Sequence, residues 1–252
     1  MEISLKNKKI LVTGASRGIG RAIAISLSQA GATLALQYSQ NEKGIREVIQ
    51  NCPSKAIAFQ ANFNNSNAVI NLYQEVISEF GALDVIVNNA GIAIETAANS
   101  SDKKWIDDFQ KTLNVNLIAA SILCKKALAD FQKQQSGIII NVSSRAAFRG
   151  DTPEYLAYAA SKGGLVALTR SIARFYGKDD ITAFDVAPGF TRTEMAQQFI
   201  DQYGEDYAKQ GIALNDLTTP EDIAPIIVFL ASGLAKHATG TTIDVNAGSY
   251  VH

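Results

Sequence analysis

The run Gly137-Ile138-Ile139-Ile140-Asn141-Val142-Ser143-Ser144 limits what this chain can fold into more than any other stretch of it. Three consecutive isoleucines leave neither face of a strand polar, so helices have to cover both faces, as they do in a parallel sheet. Similar short runs recur at Lys9–Thr13, Thr33–Gln37, Ala56–Ala61, Asp84–Val87, Ile181–Val186 and Thr241–Val245. Between them lie longer amphipathic stretches at Ile19–Gln29, Glu42–Ile49, Ala68–Phe80, Lys103–Lys111, Leu117–Gln132 and Tyr155–Tyr176. A further helix begins at Thr219-Pro220-Glu221-Asp222, with a threonine cap, a proline in the first turn, and acids where the free N–H groups and the helix dipole favour them. Strand and helix alternate from end to end without a Pro-, Gly- or Ser-rich linker and without a repeat. This predicts one α/β domain over residues 1–252, built as a doubly wound parallel sheet with helices on both faces.

Composition removes several classes of function. The 252 residues are 47% hydrophobic and 19% charged, which suits a folded domain of ordinary size. Twenty-three basic side chains against 24 acidic ones give a net charge of -1, leaving no overall field to gather nucleic acid or an anionic membrane. Cys52 and Cys124 form no CxxC, and His237 and His252 have no cysteine pair beside them, so a metal site has no ligand set. Charged Lys6, Lys8 and Lys9 follow the start with no apolar signal core behind them, and no apolar run reaches the ~18 residues of a membrane span. A cytoplasmic protein is expected. Trp105 and Phe109 recur at helical spacing and read as an interface or core face rather than a platform for bases.

Thr13-Gly14-Ala15-Ser16-Arg17-Gly18-Ile19-Gly20 joins the first strand to the first helix. In that setting Gly14 permits a tight turn, Gly18 lets backbone amides approach a phosphate, and Gly20 lets helix and strand pack closely. The first two glycines stand further apart than in GxGxxG, so the turn alone fits either a dinucleotide cradle or a structural turn. The second strand runs out through Gln37-Tyr38-Ser39-Gln40-Asn41, and the first acid is Glu42. No carboxylate stands where it would accept from a ribose 2′-hydroxyl or repel a 2′-phosphate. Arg17 offers that phosphate charge-assisted hydrogen bonds, or is simply solvated. NADP(H) is therefore favoured over NAD(H).

Tyr158 and Lys162 lie one helical turn apart. An ammonium beside a phenol of free pKa about 10 favours its phenolate, which makes an acid–base tyrosine chemically reasonable. Many helices carry such a pair by chance. The sequence as a whole, however, resembles the short-chain dehydrogenase/reductase family along nearly all of its length. The matching features are the Thr13–Gly20 turn, Asn88-Asn89-Ala90-Gly91, Asn116, Ser143-Ser144, Tyr158 to Lys162, and Pro188-Gly189 with Thr193.

The resemblance implies a Rossmann-like subunit of about seven strands, commonly a homotetramer. It implies Tyr158 as general acid or base, Lys162 as partner to the nicotinamide ribose, Ser144 as donor to the substrate oxygen, and Asn116 as holder of a relay water. It sets the cofactor against Gly14, Ser16, Arg17, Gly18, Ile19 and Gly20, then Tyr38, Asn62 and Phe63, then Asn89, Ala90 and Gly91. Pro188, Gly189, Thr191 and Thr193 complete the contact with Tyr158 and Lys162. Ser144 lies fourteen residues before Tyr158, one more than is usual in the family, so Ser143 is a rival, as Asn114 is to Asn116.

The implied activity interconverts a carbonyl and a secondary alcohol. Within the family the pattern is most similar to bacterial 3-oxoacyl-(acyl-carrier-protein) reductases, which implies a 3-oxoacyl thioester substrate and an acidic acyl carrier protein as partner. Arg145, Arg149 and Arg174 would meet such a partner, although Phe131-Gln132-Lys133-Gln134-Gln135 is mostly neutral. Alternative substrates are a sugar, a polyol, a steroid or another small ketone. A catalytically silent dinucleotide-binding regulator or scaffold is the reading from another class. The excursion 191–217, with Met195, Phe199, Tyr203 and Tyr207, fits a substrate lid or a helical insertion packed on itself, and the tail Ser249–His252 is a candidate for crossing to a partner's pocket.

Overall fold

The computed structural model describes residues 3–205, 209 and 211–251. Seven strands form one parallel sheet in the order β3-β2-β1-β4-β5-β6-β7. They are β1 Lys9–Val12, β2 Thr33–Tyr38, β3 Ala56–Gln60, β4 Val85–Asn88, β5 Gly137–Val142, β6 Ile181–Pro188 and β7 Thr242–Val245. Each crossover carries helix: α1 Gly18–Gln29, α2 Glu42–Gln50, α3 Ser66–Phe80, α4 Asp102–Leu113, α5 Ala119–Gln134, α6 Ala146–Arg149, α7 Leu156–Tyr176, α8 Glu194–Tyr203 and α9 Pro220–Ala231. β1 pairs with β2 on one side and β4 on the other. The order of winding reverses there, and in open sheets of this kind a crevice for ligands forms beyond the carboxyl ends of the strands at that point.

Every residue of β5 and β6 is buried, as the unbroken apolar run at 137–142 requires. Alternate side chains feed two cores. Ile138, Ile140, Phe184 and Val186 pack with α1, α2 and α9 on one face; Ile139, Ile181 and Ala183 pack with α3, α5 and α7 on the other. Phe131 and Phe184 are fully buried, and each contributes about 1.5–3 kcal/mol of transfer free energy.

Three elements depart from the sequence reading. The helices expected at 103–111 and 117–132 are joined by a π turn at Asn114–Ile118 into one run ending at Gln134. Asparagine and valine are weak helix formers, and tertiary hydrogen bonds of Asn116 hold the turn regardless. The run is long and apolar enough to cross a membrane, but 44% of its most apolar stretch is buried inside the protein, and Leu123, Ala127 and Phe131 face the core. β5 stops at Val142, leaving Ser143 and Ser144 at the strand end. β6 continues to Pro188 because β7 pairs alongside as far as Val245. In the 191–217 excursion, buried Ile200 and Leu217 form a small core of their own with Phe190 and Ile212. Tyr207 and the side chains of Met195, Phe199 and Tyr203 lie outside the described residues, as does His252 of the tail.

Candidate active site

The turn after β1 is built from positions where a side chain has no room. Gly14 and Gly18 have φ of 65° and 51°, in the left-handed region that glycine enters without strain. A Cβ on Gly20 would stand 2.2 Å from the Gly14 carbonyl oxygen. Thr13 binds this turn to the end of β4, its Oγ1 accepting from the amides of Asn89 and Ala90, both at 3.0 Å. Asn89 Nδ2 returns a bond of 2.9 Å to the Thr13 carbonyl. Gln37 braces the other side. Its Oε1 accepts from Gly14 N at 2.8 Å, and its Nε2 donates to the Ala61 carbonyl at 2.8 Å.

Arg17 is exposed at the N-cap of α1, with no side-chain cap bond and no acid in the first turn. Thr193 caps α8 and packs against the turn, 3.3 Å from where a Gly18 Cβ would be. Gly189 lies against Asn246, whose Cα would be 2.7 Å from a Cβ there, while the Thr191 hydroxyl donates to the Gly189 carbonyl at 3.1 Å. Tyr38 is half-buried at the end of β2, Asn62 is exposed, and Phe63 is buried in the core. A cleft of about 710 Å³ opens beside Gly18, between Arg21, Thr193, Gln197 and Pro220. A second of about 760 Å³ lies between residues 214–218 and 244–248. None of Asn116, Ser144, Tyr158 and Lys162 lines either cleft.

Ser144 after β5, Tyr158 and Lys162 on α7, and Asn116 in the π turn come from three separate stretches and meet beyond the ends of β4 and β5. The Ser144 hydroxyl, half-exposed, accepts from Ala146 N at 3.1 Å and lies near enough to the Tyr158 phenol to favour its charged form. Ser143 turns the opposite way and donates to Asp185 Oδ2 at 2.7 Å. Lys162 Nζ lies 5.6 Å from the centre of the Tyr158 ring and donates to the Val142 carbonyl at 2.8 Å. A Cβ on Gly91 would stand 3.4 Å from Lys162 Nζ and 3.6 Å from Asn116 Oδ1, so the loop after β4 closes the cluster.

Asn116 Oδ1 accepts from Ile92 N at 2.8 Å, and its Nδ2 donates to the Ile92 carbonyl at 2.9 Å and to Ser161 Oγ at 3.0 Å. One acceptor lone pair remains free for a water. Asn114 points elsewhere, donating to Asn64 Oδ1 at 3.1 Å.

Burial pushes the Tyr158 phenol above its ordinary range, with Ser144 opposing and Asp151 adding to the rise. Burial also pushes Lys162 down to about 8, and the charge of Asp185 opposes that fall. Both shifts follow from the cost of holding a charged form away from water.

Comparison with known proteins agrees with this arrangement. Residues 14–250 match the family described as Enoyl-(Acyl carrier protein) reductase. The chain is 38% identical over 248 residues to the 3-oxoacyl-(acyl-carrier-protein) reductase FabG of Staphylococcus aureus, covering 97% of this chain and 98% of the relative. The chain belongs to the short-chain dehydrogenase/reductase family. It is an NAD(P)-dependent oxidoreductase of carbonyl and alcohol substrates. Other members lie at similar distance. The 3beta-hydroxysteroid dehydrogenase 1 of Eggerthella lenta is 34% identical, with 97% and 94% of the two chains covered. A short-chain dehydrogenase of Burkholderia cenocepacia in complex with NADP superposes with a TM-score of 0.87 at 32% identity, over 97% and 98% of the two chains.

Sequence reasoning gave no bracing role to four residues whose bonds hold this site together: Thr13, Gln37, Ser161 and Asp185. Gln37 entered that reasoning only as an uncharged residue, whereas it is a buried brace. Asp185 had one available signal, a lone acid within a continuous apolar strand.

Proposed function

We propose that the protein reduces a 3-oxoacyl thioester or related ketone with NADPH, with Tyr158 as the proton donor and Ser144 as the second donor to the substrate oxygen. The position of Lys162 Nζ, 5.6 Å from the centre of the Tyr158 ring at the end of β5, carries this reading, because it sets an ammonium beside the phenol that would give up its proton. When bound, the cofactor supplies the hydride. Tyr158 hands its proton to the oxygen as negative charge develops there, and Ser144 stabilises the same charge. Lys162 is placed to hold the nicotinamide ribose, and its charge favours the phenolate left after transfer. Asn116 keeps the loop after β4 against α7 and has one lone pair left for a water that returns a proton.

The residues present fit a dinucleotide. Gly14, Gly20 and Gly91 leave the space that a Cβ would fill, and the first turn of α1 presents free amides without an acid, the arrangement that receives a pyrophosphate. NADP(H) is favoured by exposed Arg17 and by the absence of a carboxylate at Gln37 and Tyr38; Glu42 pairs with Arg46. The Staphylococcus relative supports the thioester substrate. Exposed Arg149 and Arg174, with half-buried Arg145, would meet an acidic acyl carrier protein. The 191–217 excursion serves as substrate lid, and exposed Ile106 and Phe175 are apolar positions suited to a homotetramer interface, which sedimentation tests.

The deciding assay offers the purified protein NADPH and NADH with an acetoacetyl thioester, a diacetyl-type ketone, a sugar and a 3-ketosteroid. Turnover of the thioester with NADPH supports the reading. Turnover confined to the sugar or the steroid overturns the substrate class, and strong preference for NADH overturns the cofactor choice.

A further inference from the structure

Seven of the eight residues of β6 are uncharged, and the eighth is Asp185, with 1% of its surface exposed. A carboxylate in the middle of a parallel sheet is costly unless something around it uses the charge. Its surroundings do not neutralise it as an ion pair would. Ser143 Oγ donates to Oδ2 at 2.7 Å, while Oδ1 has no hydrogen-bond partner among the described residues. Thr242 pairs with Asp185 across the β6–β7 ladder, and its hydroxyl lies near enough to favour the charged form although it too makes no well-directed bond.

Among the described residues, the charged groups acting on Asp185 are Lys162 and Arg170, both on α7; β5 and β7 contribute only the Ser143 and Thr242 hydroxyls. Asp185 is likewise the charged group that acts on Lys162. The two do not touch. The Lys162 ammonium is tied instead to the Val142 carbonyl, one residue before Ser143. The carboxylate thus adjoins the Lys162–Val142–Ser143 corner, on the face of the sheet that α7 covers.

We propose that Asp185 is a positioning residue of the catalytic centre, a buried counter-charge that keeps Lys162 protonated at working pH and anchors the Ser143-Ser144 strand end. It acts through Lys162 and Ser143 and meets neither substrate nor cofactor. The alternative is a purely structural role, in which Ser143 and Asp185 close a gap between β5 and β6. The two roles separate because only a counter-charge changes the titration of Lys162. Direction follows from Coulomb's law: with the negative charge removed, burial acts on Lys162 unopposed and the ammonium loses its proton at lower pH.

This inference rests on Tyr158 and Lys162 being the working pair, so its test includes a measurement that needs no turnover. In cofactor-free protein with lysines labelled with carbon-13 at Cε, the Lys162 signal is assigned by its loss in Lys162→Arg and titrated in wild type, Asp185→Asn and Asp185→Val. The amide keeps the shape of the carboxylate. The valine variant removes the buried charge and the acceptor of the Ser143 bond outright. We expect the Lys162 midpoint to fall by at least about half a pH unit in both variants, and the alkaline limb of the turnover profile to move down with it while the dinucleotide complex still forms at neutral pH. An unmoved midpoint in whichever variant folds, with or without a lower melting temperature, overturns the proposal. If wild type turns over no carbonyl substrate while the midpoint moves as expected, the functional reading fails and the counter-charge stands.

Discussion

Lys162 donates from Nζ to the carbonyl oxygen of Val142 at 2.8 Å, fastening α7 to the last residue of β5, two residues before the serine that lies beside Tyr158. Because the lysine is held by backbone, its position does not depend on the cofactor. Replacing Lys162 with methionine should therefore remove a charge and leave a buried carbonyl without its donor. Expected outcomes are a loss of about 1–3 kcal/mol in urea unfolding together with weaker dinucleotide binding. Unchanged unfolding would show that the bond does not persist in solution.

Gln37 offers a second test, away from the reacting groups. Gln37→Leu keeps the bulk but strands the Gly14 amide and the Ala61 carbonyl, which should cost about 2–5 kcal/mol for two unpaired buried backbone groups. Equilibrium unfolding measures the loss. A fluorescence titration with NADPH should show weaker binding as well, since the glycine turn loses its brace. Unaltered affinity would mean that Thr13 and Asn89 hold the turn without help.

The order of elements was legible because the physics that decides it is local. Unbroken apolar runs such as 137–142 have to be buried on both faces, and amphipathic stretches such as 68–80 have to cover them. The choice between Ser143 and Ser144 was not legible. Neighbouring strand-end residues point to opposite sides, and only the placement of β6 determines that Ser143 meets Asp185 while Ser144 meets Tyr158. Asn116 was found through a motif, but its bonds to Ile92 and Ser161 join segments 24 and 45 residues apart. The π turn that carries it looks like a helix break in sequence, because asparagine and valine resist helix until tertiary bonds hold them. Gln37 and Asp185 gave no periodic signal, since one polar residue in a strand has no spacing to read.

Asn116→Ala should remove three hydrogen bonds at once. With about 1 kcal/mol net for each, a loss of about 2–4 kcal/mol is expected, and turnover should fall with it as the loop at Gly91 separates from Lys162. Asn114→Ala serves as the control. Comparable loss of turnover in both variants would contradict the placement of Asn116 in the site.

The pH dependence of stability carries a signature of Asp185. Burial raises its carboxyl from 3.8 to about 6, so between these values the folded protein binds the proton that the unfolded chain has already released. The resulting stabilisation is present in full below pH 3.8 and is lost as pH rises through about 6. Relative to Asp185→Asn, wild type should therefore lose melting temperature across that window. Parallel melting curves for the two proteins would show that the carboxyl titrates normally.

Arg17→Ala tests cofactor choice. Loss of charge-assisted bonds to a 2′-phosphate should weaken NADPH about 10- to 100-fold, or about 1.4–2.7 kcal/mol. NADH affinity should barely change. Equal losses for both dinucleotides would remove Arg17 from the discrimination.

The central claim is that Tyr158 moves the proton while the glycine turn holds the dinucleotide, and Tyr158→Phe separates the two most directly. With NADPH and the best carbonyl substrate, turnover should fall by about 10²–10⁴-fold while the dissociation constant for NADPH, read by fluorescence, stays within a few-fold of wild type. Turnover retained near the wild-type rate, with the same cofactor affinity, would contradict the account.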